Sequence, residues 1–141
     1  MSALRPFHAL RATLRQVPKA RSFHSTVRRN EHFLDANTTV FEKAVSNKDK
    51  VVLVDFYANW CNPCKMLSPV LEKLTTDESI KSGSGKALDL VTVDTDVEGE
   101  LAGKYGVTAL PTVIAFKDGQ PISQFKGAMP EHLVRKFIES V

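Results

Sequence analysis

An α/β architecture, a central mixed β-sheet with helices on both faces, is what this sequence predicts. Apolar runs of strand length alternate with segments whose apolar residues recur every three or four positions, so strands and helices interleave. An Asp-Gly pair late in the chain joins two strands as a hairpin, which sets an antiparallel unit beside a βαβ order. With 141 residues, 43% hydrophobic and 25% charged, the chain suits one globular domain plus an appendage.

Taken in order, Thr38 or Thr39 can cap a short helix running to Val45, with Phe41 and Val45 on its inner face. Val51-Val52-Leu53-Val54 followed by Asp55-Phe56 is unbroken by polar alternation, the pattern of a strand buried on both faces. A helix starts at Asn62, with Met66, Leu67, Val70, Leu71 and Leu74 on its apolar stripe. Ser79 to Lys86, with its Ser-Gly-Ser-Gly, reads as a flexible loop. Leu88 to Val93 is the next strand, and Glu98 to Tyr105 a helix stopped by Gly106. Thr112 to Phe116 and Ile122 to Phe125 flank the turn Lys117-Asp118-Gly119-Gln120. Pro130 to Val141 forms the last helix, with Pro in its first turn and Leu133, Phe137 and Val141 on one stripe.

The formal charge of +3 conceals a split. Residues 1–30 hold seven of the 19 basic residues and no Asp or Glu, leaving 12 basic against 16 acidic residues in the remainder. A basic nucleic-acid surface is therefore not expected of residues 31–141, the expected domain. Residues 1–30 have the composition of an organellar transit peptide: rich in Arg, containing Ser, free of acid and amphipathic. Leu4, Phe7, Leu10, Leu14 and Val17 fall on one side of a helical wheel, and Arg5, Arg11 and Arg15 on another. Arg and Pro interrupt every candidate for a secretory apolar core, and no stretch approaches a membrane span. The expected destination is mitochondrial, with the matrix as the compartment and cleavage between about residues 23 and 31. Plastid import and a basic tail for nucleic acid or anionic lipid are the alternatives.

Trp60-Cys61-Asn62-Pro63-Cys64-Lys65 holds both cysteines of the chain. Two thiols three positions apart at a helix start can close into a disulfide and reopen. A zinc site would need further ligands, and His8, His24, His32 and His132 offer no second pair at ligand spacing. A purely structural bridge over so short a loop removes little entropy from the unfolded chain. Dithiol–disulfide exchange is the reading that remains.

Around that motif, Val54-Asp55-Phe56-Tyr57-Ala58-Asn59-Trp60-Cys61-Asn62-Pro63-Cys64-Lys65 is followed by Lys104-Tyr105-Gly106-Val107, Leu110-Pro111-Thr112, Phe116-Lys117-Asp118-Gly119 and Gly127-Ala128. In this order and over about residues 33–141, the sequence resembles the thioredoxin family, which implies the thioredoxin fold and protein disulfide reduction. With its leader the chain resembles a mitochondrial member. The resemblance implies electrons from NADPH through a thioredoxin reductase, peroxiredoxins and other oxidised proteins as clients, and a role in mitochondrial redox homeostasis. It implies no bound cofactor beyond the Cys61–Cys64 redox pair, no nucleic-acid or membrane partner, and a mainly monomeric protein.

The same resemblance makes Cys61 the attacking thiol, and a helix N-terminus suits that role because free N–H groups and the dipole stabilise a thiolate. Cys64, one turn deeper, would resolve the mixed disulfide. Pro63 loses nothing in a first turn, where its missing N–H would have no partner. Asp55, at the end of an apolar strand, should resist ionisation and take the proton of Cys64; a strand-end Asp capping the next turn is the plainer alternative. A cis Leu110–Pro111 bond is implied, with Trp60, Ala109, Leu110, Pro111, Gly127 and Ala128 forming a flat apolar rim that binds substrate.

Three departures from the family pattern stand out. Asn62 replaces the usual Gly and, with Pro63, bears on the redox potential. Thr92 replaces a lysine, and the loop around Ser82 to Lys86 is long. Ser84-Gly85-Lys86-Ala87 lacks the earlier glycine of a phosphate loop, and Asp94, Asp96 and Glu98 lack the twelfth-position Glu of a calcium loop. Asn37-Thr38-Thr39 is a glycosylation sequon that has no meaning outside the secretory pathway. An oxidase or isomerase on the same fold, and a binding module without turnover, remain the competing functions.

Overall fold

The structure, a computed structural model, describes residues 29–141. The leader expected over residues 1–30 therefore lies outside the described residues, save Arg29 and Asn30. The elements are β1 (His32–Phe33), α1 (Thr38–Val45), β2 (Lys50–Tyr57), α2 (Asn62–Thr76), β3 (Ala87–Asp94), α3 (Gly99–Lys104), β4 (Thr112–Lys117), β5 (Gln120–Lys126) and α4 (Glu131–Glu139). They form one five-stranded sheet ordered β1-β3-β2-β4-β5. β2 lies parallel to β3 and antiparallel to β4, so the sheet is mixed as expected.

β2 sits in the middle and is apolar on both faces for that reason. Its even-numbered residues Val52, Val54 and Phe56 pack under α1 and α3, with Phe41, Ala44, Leu101 and Phe116. Val51 and Leu53 pack on the other side with Leu67, Leu71 and Leu74 of α2 and Val134 and Ile138 of α4. Each large side chain fully buried in these layers contributes about 1.5–3 kcal/mol. An aromatic cluster closes the first layer: Phe41 meets Phe116 edge-on at 5.4 Å, and Tyr105 meets Phe116 at 5.2 Å.

Several local expectations change. Asn37, not Thr38 or Thr39, caps α1, its side chain accepting from the Val40 N–H at 2.9 Å. Thr38 and Thr39 are already helical. Met66 is 72% exposed and leaves the α2 stripe to Leu67, Leu71 and Leu74, which an i, i+4, i+7 spacing aligns. On α4 the buried line is Val134 and Ile138, with Leu133 exposed and Phe137 partly buried against Phe125. Pro130 is the N-cap there rather than the first helical residue, and α4 ends before Val141.

The long loop is held rather than loose. Gly83 N–H donates to the Ile138 carbonyl and Ser84 N–H to that of Val141, each at 3.0 Å. A Cβ on Gly83 would run into the Glu139 carbonyl, so the serine-glycine composition serves close backbone packing here.

The two-residue β1 was not expected, being too short for periodicity to reveal. It is fastened by a buried pair: Lys50 and Asp89 meet at 2.7 Å, both almost fully shielded from solvent. The Lys50 ammonium also donates to the Arg29 carbonyl at 2.6 Å, and Glu31 N–H donates to Asp89 at 2.7 Å. Asn30 adds a bond from Nδ2 to the Thr75 carbonyl. These contacts satisfy charges that would be expensive to bury alone.

Candidate functional site

α2 begins where the C-terminal end of β2 releases the chain, and the dithiol motif occupies that junction. Cys61 is the N-cap residue, extended at φ −86°, ψ 104°, and its Sγ accepts from the Cys64 N–H at 3.2 Å. Pro63 follows in the first turn, where no N–H is needed. Cys61 and Cys64 are disulfide-bonded with Cα atoms 5.3 Å apart. Both sulfur residues are shielded, Cys64 more completely, and they pack with Ala58, Tyr57 and Leu110. In the reduced protein the same N–H groups and helix dipole would favour charge on Cys61.

A cleft of about 610 Å³ opens beside Cys61, walled by Trp60, Asn62, Pro63, Ala109 and Leu110. Thr95, Ala102, Val107 and Thr108 complete it. Trp60 stands 69% exposed, with its indole N–H donating to Asp96 at 3.0 Å. The Leu110–Pro111 bond is cis. Pro111 is buried and its carbonyl accepts from the Gly127 N–H at 2.8 Å; Gly127 has φ 84°, a conformation that favours glycine. The expected rim is thus a cleft rather than a flat patch. Trp60, Ala109 and Leu110 line it, Pro111 is tied to Gly127, and Ala128 is exposed but does not line it.

Asp55 lies on the α2 side of the sheet, 1% exposed. Neither carboxylate oxygen has a hydrogen-bond partner among the described residues. Burial raises its pKa from 3.8 to about 7; the Ser68 hydroxyl opposes the rise and the Glu72 charge adds to it. Ser68 links this carboxyl to the dithiol, because its hydroxyl donates to the Cys64 carbonyl at 3.0 Å. Tyr57 is pushed upward, first by burial and then by its bond to Asp35, to which its hydroxyl donates.

Ser68 and Glu72 belong to none of the sequence motifs, yet a signal for them is present. They follow Cys64 at four and eight residues and so share its face of α2. Val107 ends the Lys104-Tyr105-Gly106-Val107 run quoted above, whereas Thr95 and Thr108 carry no such signal, since chain folding alone brings them to the cleft. Among the described residues no three His, Cys, Asp or Glu side chains converge for a metal, and no helix is long and apolar enough to cross a membrane.

The family model described as Thioredoxin matches residues 32–140. A thioredoxin of Chlorobaculum thiosulfatiphilum is 36% identical over 107 residues, spanning 76% of this chain and 94% of that protein. A solved mutant thioredoxin from Halobacterium salinarum NRC-1 superposes with a TM-score of 0.66 at 34% identity, covering 77% of this chain and 88% of the other. Another solved chain is 32% identical with a TM-score of 0.62 and covers 76% and 92%. Its structure concerns the thiol resolving mechanism of a yeast mitochondrial 1-Cys peroxiredoxin via glutathione/thioredoxin systems.

Proposed function

The chain belongs to the thioredoxin family, and from that premise we propose a working cycle for its Cys61–Cys64 pair. The protein is a disulfide oxidoreductase whose redox group is this disulfide; the family carries no other cofactor. In the proposed cycle the Cys61 thiolate attacks one sulfur of a client disulfide, forming a mixed disulfide and expelling the other client sulfur as a thiolate. Cys64 loses its proton to Asp55. Its thiolate then attacks the Cys61 sulfur, and the second client sulfur leaves with the electron pair. The client is reduced by two electrons and Cys61–Cys64 is oxidised.

The observation that carries this reading is the disulfide capping α2 with a buried, unpartnered carboxyl on the same side of the sheet. The cleft with Trp60, Leu110 and Pro111 would hold an extended client segment, Gly127 and Ala128 flanking it. Without a deep pocket it would demand no single side chain. Asn62, exposed at the first helical position, would tune the potential together with Pro63.

Two electrons would return from NADPH through a thioredoxin reductase. Peroxiredoxins are proposed among the clients, a reading supported by the similarity to the chain solved in the yeast peroxiredoxin work. The mitochondrial matrix is proposed from the leader composition; fusing residues 1–30 to a reporter and finding it outside mitochondria would withdraw that part.

The test of the cycle is a redox titration of the pair. A midpoint near the roughly −270 mV of thioredoxin supports a reductase. One near the roughly −180 mV of isomerases would mean that Asn62 has turned the fold toward oxidation. Failure to titrate reversibly would leave only a binding module.

A further inference from the structure

In the proposed cycle Asp55 gains a proton at each resolution step, and a residue 1% exposed has no direct route to release it. Cys64, Ser68 and Glu72 lie four apart on one face of α2, above Asp55. Asp55 shares its sheet face with Tyr57, two residues on in β2, and pairs with Thr92 of β3. Two cavities lie next to this carboxyl, and Tyr57, Ser68 and Glu72 stand in the walls of both, with Ser68 between them and Asp55. One, of about 280 Å³, has Cys64, Ser68 and Glu72 in its wall; the other, of about 200 Å³, has Ser68, Glu72, Tyr57 and Thr92. Both are roomy enough for several solvent molecules.

The ionisable groups around this point are few. Lys65 of α2 stands in the wall of only one of the two cavities. Tyr57 of β2 commits its hydroxyl to Asp35, which precedes α1. Asp94 of β3 accepts from the Asp96 N–H and from Asn59. β4 offers only apolar Val113 opposite Asp55. The Glu72 carboxylate lies in the wall of both cavities and has no hydrogen bond or ion pair among the described residues. It also adds to the upward pull on the Asp55 pKa, as a like charge nearby must.

Given the role of Asp55 in that cycle, we infer that Glu72 is the group through which it exchanges its proton with bulk water, by way of the Ser68 hydroxyl and the solvent of these cavities. The Cys64 S–H bond breaks and an O–H bond forms on Asp55. That proton passes to the Ser68 hydroxyl, which gives its own to a cavity water; the water gives one of its protons to the Glu72 carboxylate, and Glu72 releases it outward. No electron moves in this leg; the thiolate pair has already formed the Cys61–Cys64 bond. Glu72 is thus a positioning residue that acts through Asp55.

The experiment is multiple-turnover reduction of a chromogenic disulfide under saturating dithiothreitol, in dilute buffer near neutral pH, with imidazole added stepwise. Glu72→Gln should lose rate several-fold in dilute buffer and recover it as imidazole supplies the missing proton carrier, while Glu72→Asp keeps most of the rate. Ser68→Ala should show a smaller loss with the same rescue. A Glu72→Gln protein at full rate in dilute buffer overturns the route, as does a slow one that imidazole leaves slow. Asp55→Asn is run alongside: if it turns over normally, the role of Asp55 itself falls and takes this route with it.

Discussion

Asp55 and Thr92 are direct neighbours across the parallel strands β2 and β3, yet the Thr92 hydroxyl accepts from the Asp35 N–H and leaves the carboxyl unpartnered. The pair explains why burial, with the Glu72 charge adding to it, can carry Asp55 to about 7, for no ion pair among the described residues opposes it. Thr92→Lys would place an ammonium at that position. The expected outcome is an Asp55 midpoint well below 7 in a carboxyl-resolved NMR titration, with the pH profile of turnover moving the same way. A midpoint that does not move would mean the lysine points elsewhere or that burial is not the cause.

Asp55 also makes the fold sensitive to pH. Its folded pKa of about 7 lies above the ordinary 3.8, so between these values the folded state binds more protons than the unfolded one. This contribution to stability is fully present below about pH 4 and is lost as pH rises through 7. The loss is on the order of 4 kcal/mol, from about three pKa units. Asp55→Asn should therefore be more stable than the parent at pH 8 and slower in resolution. Denaturant melts of the oxidised proteins at pH 5 and pH 8 check this; a parent equally stable at both would contradict the titration.

Resolution by Cys64 predicts a trap. Cys64→Ser keeps the attacking sulfur and loses the resolving one, so client protein should accumulate as a mixed disulfide on Cys61, visible by intact mass. Cys61→Ser should capture little, because Cys64 is only 1% exposed. Equal capture by both variants would reverse the assignment or make it shared.

The sequence is most readable where covalent spacing or strong periodicity speaks. Cys61 and Cys64 at a helix start, the central strand through Asp55 and the Asp118-Gly119 hairpin all stand where residue type alone puts them. The structure gives Asp118 and Gly119 positive φ of 54° and 77°, as such a turn demands. Helix faces differ from expectation by one position at Met66 and Leu133, since a wheel fixes the period but tertiary packing fixes the phase. Long-range polar pairing is invisible in sequence: Lys50 and Asp89 are 39 residues apart and neither belongs to a motif. Glu72 is hidden for the opposite reason, an ordinary exposed helix residue whose meaning comes only from the carboxyl beneath it.

The Lys50–Asp89 pair gives the plainest stability test. Lys50→Met strands a buried carboxylate and should cost about 3–5 kcal/mol. Lys50→Met combined with Asp89→Leu should cost much less, because no charge is then left unpaired. Denaturant midpoints of the parent, the single and the double variant decide it, and a double variant as weak as the single would assign the loss to packing.

The same lysine would set a limit on the leader removal proposed for residues 1–30. Its ammonium is shared between the Asp89 carboxylate and the carbonyl of Arg29, while the Glu31 amide takes the other approach to Asp89. A protease that cut after Asn30 would remove one acceptor and create a new ammonium at Glu31, so two cations would compete for one carboxylate. Trimming that stops before Arg29 leaves the arrangement whole. If residues 1–30 are a leader, as proposed, the fold would act as a ruler for its removal, with the innermost tolerated cut marked not by a recognition motif but by the last peptide group that a buried side chain holds.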